Sequence, residues 1–320
     1  MTVGPRPHDS TQGIRPELRE LIALREQARR LDLAPRGRVL ATRSGGHLAP
    51  FRGRGMEFDE SRVYQAGDDP RHMDWRVTAR AGRPHVKLFS EERERPVWLL
   101  VDQGPSMRFG TRVAFKSVIA ARAAALLGWA AVDRGDRVGG LVFDEDRHLE
   151  RRPSARVSGL LPLLERLAEP PASEGPGPSR GGHGSIAEAA AHLAPLVRPG
   201  SLVVILSDFA GVERARARWL AELAACCEVV LVAIQDPIER EAPPAGRYPI
   251  SDGQTRRLLD LTSPRRRRAY ETACRSRGET LEWLARQHHA HLIGLGTERP
   301  VGPALAIGLG ARRRLATGGV

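Results

Sequence analysis

The feature that most constrains the fold is a short, almost uninterrupted apolar run at residues 97–101, which ends at Asp102. A run of this kind suits a β-strand that is buried on both faces, as the strands of parallel sheets are. Further apolar runs follow at residues 137–143, 201–207, 228–234 and 291–295. Segments with helical periodicity separate these runs. The alternation predicts an α/β fold with a doubly wound, mostly parallel, Rossmann-like sheet and helices on both faces.

The segments predicted as helices carry apolar residues at helical spacing. They cover residues 112–133, 157–168, 186–197, 212–225 and 263–289. Residues 16–33 show the same spacing and predict a short amphipathic helix near the start of the chain. A stretch rich in proline, glycine and serine at residues 170–184 predicts a linker within the α/β region.

Changes in composition divide the chain into an arm, a small subdomain, a large domain and a tail. These are the arm and helix at residues 1–33, a charged, loop-rich β subdomain at 34–94, the α/β domain at 95–296 and a glycine- and arginine-rich tail at 297–320. Every apolar run is shorter than the roughly 18 residues that a membrane helix requires. The first residues lack the apolar core of a signal peptide. We therefore expect a cytoplasmic protein with no stable membrane insertion.

The net charge of +12 raises the question of a nucleic-acid partner. The lysines are Lys87 and Lys116 alone, and the arginines are spread along the whole chain. The sequence offers neither an aromatic stacking surface nor a helix-turn-helix pattern. We interpret the charge as a bias towards arginine on solvated faces and expect no nucleic-acid binding.

Carboxylate and hydroxyl side chains follow the predicted strands at the edge where parallel strands end, which is where such sheets bind ligands. Asp102 and Ser106 follow the first run, Asp208 follows the run at 201–207, and Ser185 precedes the helix predicted at 186–197. Oxygen ligands of this kind suit Mg²⁺. Alternatively, the same side chains cap turns and helices. Spacing alone leaves both interpretations open.

The same segment resembles a von Willebrand factor A domain. The metal-ion adhesion site of such domains combines Asp-x-Ser-x-Ser after the first strand, a threonine in a later loop and an aspartate after the fourth strand. The matching positions are Asp102, Gly104, Ser106, Ser185 and Asp208. Ser185 keeps a hydroxyl in place of threonine, whereas Gly104 lacks the oxygen of a ligand serine. The resemblance therefore implies a degenerate metal-ion adhesion site at which Mg²⁺ binding is weakened or lost.

A second resemblance lies ahead of that strand. The pattern reads Gly53-Arg-Gly-Met-Glu-Phe58, Arg62-Val-Tyr64, Gly67-Asp-Asp-Pro-Arg71, Asp74-Trp75 and Ala79-Arg80, and it continues at Asp236-Pro-Ile-Glu239. It resembles the bacterial family called domain of unknown function fifty-eight (DUF58) over about residues 33–295. The resemblance implies a partner, a MoxR-type AAA+ ATPase, and a role in chaperone-like assembly or maturation of other proteins.

The charged subdomain mixes arginines and carboxylates with aromatic side chains, which pair and stack well. These residues either lock the subdomain in place or form a docking surface, and the sequence leaves both readings open. The partner-binding candidates are Arg62, Tyr64, Asp68, Asp69, Arg71, Asp74, Trp75 and Arg80.

Signatures of common enzymes are missing from the sequence. A phosphate-binding loop is excluded because neither lysine follows a glycine. A nucleophile elbow at residues 104–108 is incomplete, since Arg108 occupies the place of its second glycine. We therefore expect a non-catalytic interaction module that docks through the degenerate metal site. The alternative is a magnesium-dependent hydrolase that uses Asp102 and Asp208, with Asp68 or Asp69.

Overall fold

The computed structural model describes most of the chain at the level of individual elements. The described residues are 13–33, 56–65, 68, 70–91, 94–145, 147–170, 185–251 and 256–317. The chain divides into two compact units, one formed by residues 1–39 with 95–320 and the other by residues 40–94.

The N-terminal segment of the larger unit forms two short helices, α1 (Leu18–Ala23) and α2 (Arg25–Ala28). The single helix predicted at residues 16–33 is thus interrupted at Leu24, whose amide donates to Glu20 O and Ile22 O. Leu21 and Ala28 are buried, and Trp129 Nε1 donates to Leu21 O at 3.0 Å. The segment therefore belongs to the core of the larger unit.

The smaller unit is built on an antiparallel pair, β1 (Met56–Val63) and β2 (His85–Glu91), with helix α3 (Trp75–Ala81) between them in sequence. The Asp74 side chain caps α3 by accepting from Val77 N at 3.1 Å, and Gly82 ends the helix with a positive φ of 66°. A left-handed residue at this place favours glycine because other residues carry a Cβ. These elements lie within residues 34–94, the range for which the sequence predicts a small subdomain.

The larger unit continues with alternating strands and helices. In order these are β3 (Pro96–Asp102), α4 (Lys116–Asp133), β4 (Arg137–Phe143), β5 (His148–Ser154), α5 (Leu161–Ala168), α6 (Ile186–Leu193) and β6 (Leu202–Ser207). They are followed by α7 (Arg218–Ala224), β7 (Glu228–Gln235), β8 (Arg247–Ser251), β9 (Arg256–Asp260), α8 (Pro264–Gln287), β10 (His291–Gly296) and α9 (Val301–Thr317).

A six-stranded sheet with the order β10-β7-β6-β3-β4-β5 forms the centre of this unit. All neighbouring strands pair in parallel except β4 and β5, which are antiparallel. Leu99 of β3 faces a core shared with α4, α5 and α9, whereas Leu100 faces a core shared with α6, α7 and α8. The predicted doubly wound, mostly parallel α/β sheet is therefore confirmed.

Helix α4 lies in the larger of the two cores and is buried along almost its whole length. It begins at Lys116, later than the predicted start at residue 112, because residues 104–115 form a loop at the end of β3. Although α4 is rich in alanine, none of the helices in the described part of the chain is both long enough and apolar enough to span a bilayer.

Some elements differ from the sequence-based prediction. Strand β5 and the hairpin β8–β9 carry many charged, exposed residues and lack the apolar runs by which the other strands were predicted. Composition assigns residues 297–320 to a tail, whereas Val301–Thr317 form α9. Val301, Leu305 and Leu309 are buried against the sheet at helical spacing. Glycines interrupt the apolar residues of this segment, so its helical spacing is difficult to recognise in the sequence.

Strand β4 passes so close to β3 that a side chain at Gly140 has no room. A Cβ added at Gly140 would lie 2.2 Å from the backbone oxygen of Leu99. We expect Gly140→Ala to lower the free energy of unfolding by about 1–3 kcal/mol, because the paired backbones must move apart. The control is Gly294→Ala in β10, where no atom lies within 4 Å of the added Cβ. Equal losses in urea denaturation for both variants would contradict this packing.

Candidate functional site

The candidate site lies at the carboxyl edge of the sheet, which we call the rim. Because β3, β6 and β7 are parallel neighbours, the residues that follow them meet at this edge. Asp102 is the last residue of β3, Asp208 follows Ser207 at the end of β6, and Asp236 follows Gln235 at the end of β7. The rim therefore brings together a carboxylate from each of three adjacent strands.

Asp102 is buried and is held by its neighbours at both carboxylate oxygens. Ser207 Oγ donates to Asp102 Oδ2 at 2.7 Å, and Gly104 N donates to Asp102 Oδ1 at 2.8 Å. Phe209 N in turn donates to Ser207 Oγ at 3.0 Å. Burial raises the pKa of Asp102 to about 6, and the charge of Asp208 adds to the rise, while the hydrogen bonds oppose it.

Lys116 supplies a cation to the rim. It is the first residue of α4, and its side chain is 1% exposed. Its ammonium donates to Asp208 Oδ2 and to Glu239 Oε1, each at 2.6 Å. The same nitrogen lies 5.7 Å from the centre of the Phe109 ring, within the range of a cation–π contact. A buried lysine of this kind requires paired carboxylates, and the rim provides them.

The remaining oxygens of these carboxylates are also engaged. Ala210 N donates to Asp208 Oδ1 at 2.9 Å, and Asp236 N donates to Glu239 Oε2 at 3.0 Å. With the contacts of Asp102, each carboxylate oxygen in the cluster accepts at least one hydrogen bond from the protein. We call Asp102, Lys116, Asp208 and Glu239 the rim cluster.

Asp236 ties together the loops that follow three strands of the sheet. It is 0% exposed and accepts from Thr111 N at 2.8 Å, Thr111 Oγ1 at 2.5 Å and Thr297 Oγ1 at 2.6 Å. Ile238 N adds a further hydrogen bond at 3.1 Å. Burial by itself would raise the pKa of Asp236, but the hydrogen bonds from Thr111, Thr297 and Ile238 N together hold it below the ordinary value. This clamp fixes the loops after β3, β7 and β10 against one another.

The predicted metal ligands occupy different environments. Asp102 and Asp208 both belong to the rim cluster, where Lys116 contacts Asp208. Ser106 is exposed in the 3₁₀ turn Pro105–Met107. Ser185 caps α6 in a capping box, in which its hydroxyl accepts from Glu188 N and Glu188 Oε2 accepts from Ser185 N. The capping alternative thus describes the observed contacts of Ser185.

The rim cluster does not present the donor set that Mg²⁺ requires. Magnesium prefers near-octahedral oxygen ligands, whereas an ammonium group already binds the Asp208 carboxylate at 2.6 Å. Gly104 contributes no side-chain oxygen. The residues present therefore do not fit the metal of an adhesion site.

The partner-binding candidates of the smaller unit divide into internal contacts and exposed groups. Arg62 pairs with Asp68 at 2.6 Å, and Gln65 N also donates to Asp68, which together hold the pKa of this carboxyl below its ordinary value. Asp74 accepts from Ser61 Oγ at 2.7 Å and caps α3. Tyr64 is half-buried, and the exposed candidates are Arg71, Trp75 and Arg80. Asp69 lies outside the described residues.

Trp75 stands out in the smaller unit because its side chain is large, apolar and 71% exposed. The contacts of Asp68 and Asp74 support the structural reading of those carboxylates, while Trp75 keeps the features of a docking residue.

Several residues of the site were missed by sequence reasoning. Lys116 and Glu239 complete the rim cluster, and Asp236 forms the clamp. A signal for Lys116 was available, because a lysine that opens an apolar helix is unusual in a chain whose positive charges are nearly all arginine. Asp236 and Glu239 belong to the Asp-Pro-Ile-Glu motif, whose spacing is that of a capping box.

Comparisons with known proteins give a consistent family assignment. The family model described as "Protein of unknown function DUF58" matches residues 60–280. The uncharacterised proteins Mb1516 of Mycobacterium bovis and Rv1480 of Mycobacterium tuberculosis are each 30% identical over 295 residues, or 91% of this chain and 90% of theirs. The crystal structure of the conserved hypothetical protein BatB from Bacteroides thetaiotaomicron is 14% identical, with a TM-score of 0.40, and the match covers 69% of this chain and 99% of that one. On the family model and the mycobacterial relatives together, the chain belongs to the DUF58 family.

Proposed function

We propose that the chain is a non-catalytic protein-interaction module of the von Willebrand factor A type. In this proposal it serves a MoxR-type AAA+ ATPase in the chaperone-like assembly or maturation of other proteins, and it docks through the rim. Strand β5 supports the likeness to such domains. With β5 counted, Asp208 follows the fourth strand of the sheet in chain order, as the metal-site aspartate does in those domains.

The observation that carries the proposal is the contrast between the interior and the surface of the rim. The carboxylate oxygens of the rim cluster are all engaged inside the protein. A catalytic carboxylate must instead reach a substrate proton or a reacting atom. Side chains of the loop between β3 and α4 are exposed, among them Ser106, Arg108, Arg112 and Val113. This arrangement suits recognition of another protein better than turnover.

The exposed loop combines positive charge with an apolar side chain. Arg108 and Arg112 are exposed, and Val113 is 62% exposed. The neighbouring Thr111 is held by Asp236, so the loop is anchored before a partner arrives. Preorganised loops lose less conformational entropy on binding. The loop therefore fits a partner surface that presents carboxylates around a small apolar contact.

The alternative of a magnesium-dependent hydrolase lacks a supporting observation. It requires Mg²⁺ held by Asp102 and Asp208, but Asp208 is bound by Lys116 and both oxygens of Asp102 accept hydrogen bonds. The interaction module is therefore the function that the geometry supports best.

The test measures binding between the purified chain and the MoxR-type AAA+ ATPase of the same organism by biolayer interferometry. We expect wild type to bind, and we expect Arg108→Glu with Arg112→Glu to weaken binding by about tenfold or more. The change reverses two exposed charges and leaves the buried contacts of the rim intact. A matched control is Arg151→Glu with Arg152→Glu, which makes the same charge change at exposed positions of β5.

The outcomes of this experiment distinguish docking at the rim from docking on the smaller unit, and they test the identity of the partner. Equal binding by wild type and both double variants would contradict docking through the rim. If Trp75→Ala alone abolished binding, the contact would lie on the smaller unit instead. No binding by wild type at micromolar concentrations of either protein would contradict the proposed partner.

A further inference from the structure

We propose that the Lys116 ammonium is a tethered cation that takes the place of a divalent metal ion at the rim. The nitrogen lies 2.6 Å from Asp208 Oδ2 and 2.6 Å from Glu239 Oε1. These carboxylates come from the loops after two neighbouring strands, β6 and β7. The cation that joins the strand ends is therefore part of the polypeptide, and the rim is complete without a metal.

The topology of the fold explains how a lysine reaches this position. A helix that follows a parallel strand starts at the carboxyl edge of the sheet, so the first residue of α4 lies at the rim. The lysine stem is buried along with the head group, since the whole side chain is 1% exposed. Two carboxylates and the face of the Phe109 ring surround the ammonium.

The chain departs from the pattern of the metal-ion adhesion site at Gly104 and Ser185. Both departures follow from the replacement of a divalent ion by the ammonium. Mg²⁺ requires a near-octahedral shell of oxygen ligands, whereas an ammonium group needs only enough acceptors for its own N–H groups. Gly104 removes a hydroxyl that the ammonium does not need. Ser185, at the threonine position of the pattern, serves as a helix cap. One exchange of cations accounts for both departures.

Backbone N–H groups support the two carboxylates that face the ammonium. Lys116 contributes one positive charge between Asp208 and Glu239, whose other oxygens are satisfied by backbone N–H groups. Loss of the ammonium would leave two acidic side chains facing the space that it filled. Oxygen ligands arranged around a vacated cation position are the kind of site that Mn²⁺ and Mg²⁺ occupy. The inference needs no partner protein, so it is independent of the proposed function.

The first experiment measures Mn²⁺ binding to the purified, tag-free wild-type chain by electron paramagnetic resonance, in which bound Mn²⁺ loses the signal of the aqueous ion. We expect no stoichiometric site in wild type. We also expect the melting temperature to be the same in a chelator and in millimolar Mn²⁺ or Mg²⁺. A stoichiometric Mn²⁺ site that disappears in Asp208→Asn would overturn the inference, and this result does not depend on the folding of any lysine variant.

The second experiment removes the ammonium. Lys116→Ala is expected to bind Mn²⁺ and to gain roughly 4 °C in melting temperature when Mn²⁺ is about a hundredfold above its dissociation constant. The matched control, Lys116→Ala with Asp208→Asn, keeps the cavity but loses a carboxylate and should gain much less. Folding of Lys116→Ala in Mn²⁺ but not in chelator would also support the inference. A Lys116→Ala chain that gains nothing from Mn²⁺, folded or unfolded, would contradict it.

Discussion

Replacing Lys116 with methionine is expected to lower the free energy of unfolding by about 3–5 kcal/mol in a chelator-treated buffer, because it leaves buried carboxylates without their cation. Methionine fills a similar volume, so the loss reports the missing charge more than a cavity. Asp208 is almost fully buried and Glu239 is partly exposed. We therefore expect most of the loss to come from Asp208. Urea denaturation at neutral pH measures the change.

Lys87→Met is the natural control for this variant, since Lys87 is the other lysine of the chain and lies partly exposed on β2. We expect this change to cost less than about 1 kcal/mol. Adding Asp208→Asn and Glu239→Gln to Lys116→Met should restore part of the lost stability, because no unpaired charge remains. A Lys116→Met loss no larger than that of Lys87→Met would show that the ammonium does not hold the rim cluster together.

The second large effect is expected at Asp236. Asp236→Ala removes the acceptor of the hydrogen bonds that join Thr111, Ile238 and Thr297. The Thr297 hydroxyl is fully buried and would lose its partner, so we expect a loss of about 3–5 kcal/mol at pH 7. Asp133→Ala is a suitable control, because Asp133 belongs to a partly exposed ion pair with Arg25 and should cost less than about 1 kcal/mol.

The loss at Asp236 should also depend on pH. The folded protein holds the pKa of Asp236 below its ordinary value of 3.8. The folded state therefore favours the ionised form, and the resulting stability is fully present above pH 3.8 and is lost as the pH falls through the lower folded pKa. The difference in the free energy of unfolding between wild type and Asp236→Ala should stay constant from neutral pH down to about 4 and become smaller below that pH. If this free-energy difference became larger on acidification, the folded state would not lower the pKa of Asp236.

The apolar runs made most of the large unit predictable. Residues 97–101 and 202–206 are buried on both faces of the sheet, so their continuous hydrophobicity reflects a parallel central strand. Strand β5 could not be predicted in this way, because it lies at the edge of the sheet and His148, Arg151 and Arg152 are exposed. Among residues 301–310 of helix α9, for which burial is described, the buried positions Val301, Leu305 and Leu309 lie along one side, and glycines interrupt the apolar spacing between them.

The rim was predictable in position but not in contacts. Each of Asp102 and Asp208 ends an apolar run, and strand ends of a parallel sheet meet at one edge. Lys116 and Glu239 join this edge because loop lengths and rotamers place Lys116 Nζ 2.6 Å from both Asp208 Oδ2 and Glu239 Oε1. Sequence spacing does not specify such distances. Ser185 illustrates the converse, since the Ser-x-x-Glu pattern in the sequence favours a capping box, and the structure contains one.

A crystal structure of the wild-type chain grown in Mn²⁺, with an anomalous difference map calculated at the manganese edge, shows directly which cation occupies the rim. We expect no anomalous peak between Asp102 and Asp208, and we expect Lys116 Nζ in hydrogen-bond contact with Asp208 and Glu239. A manganese peak bound by these carboxylates, with Lys116 turned away from them, would show that the ammonium does not replace the metal ion.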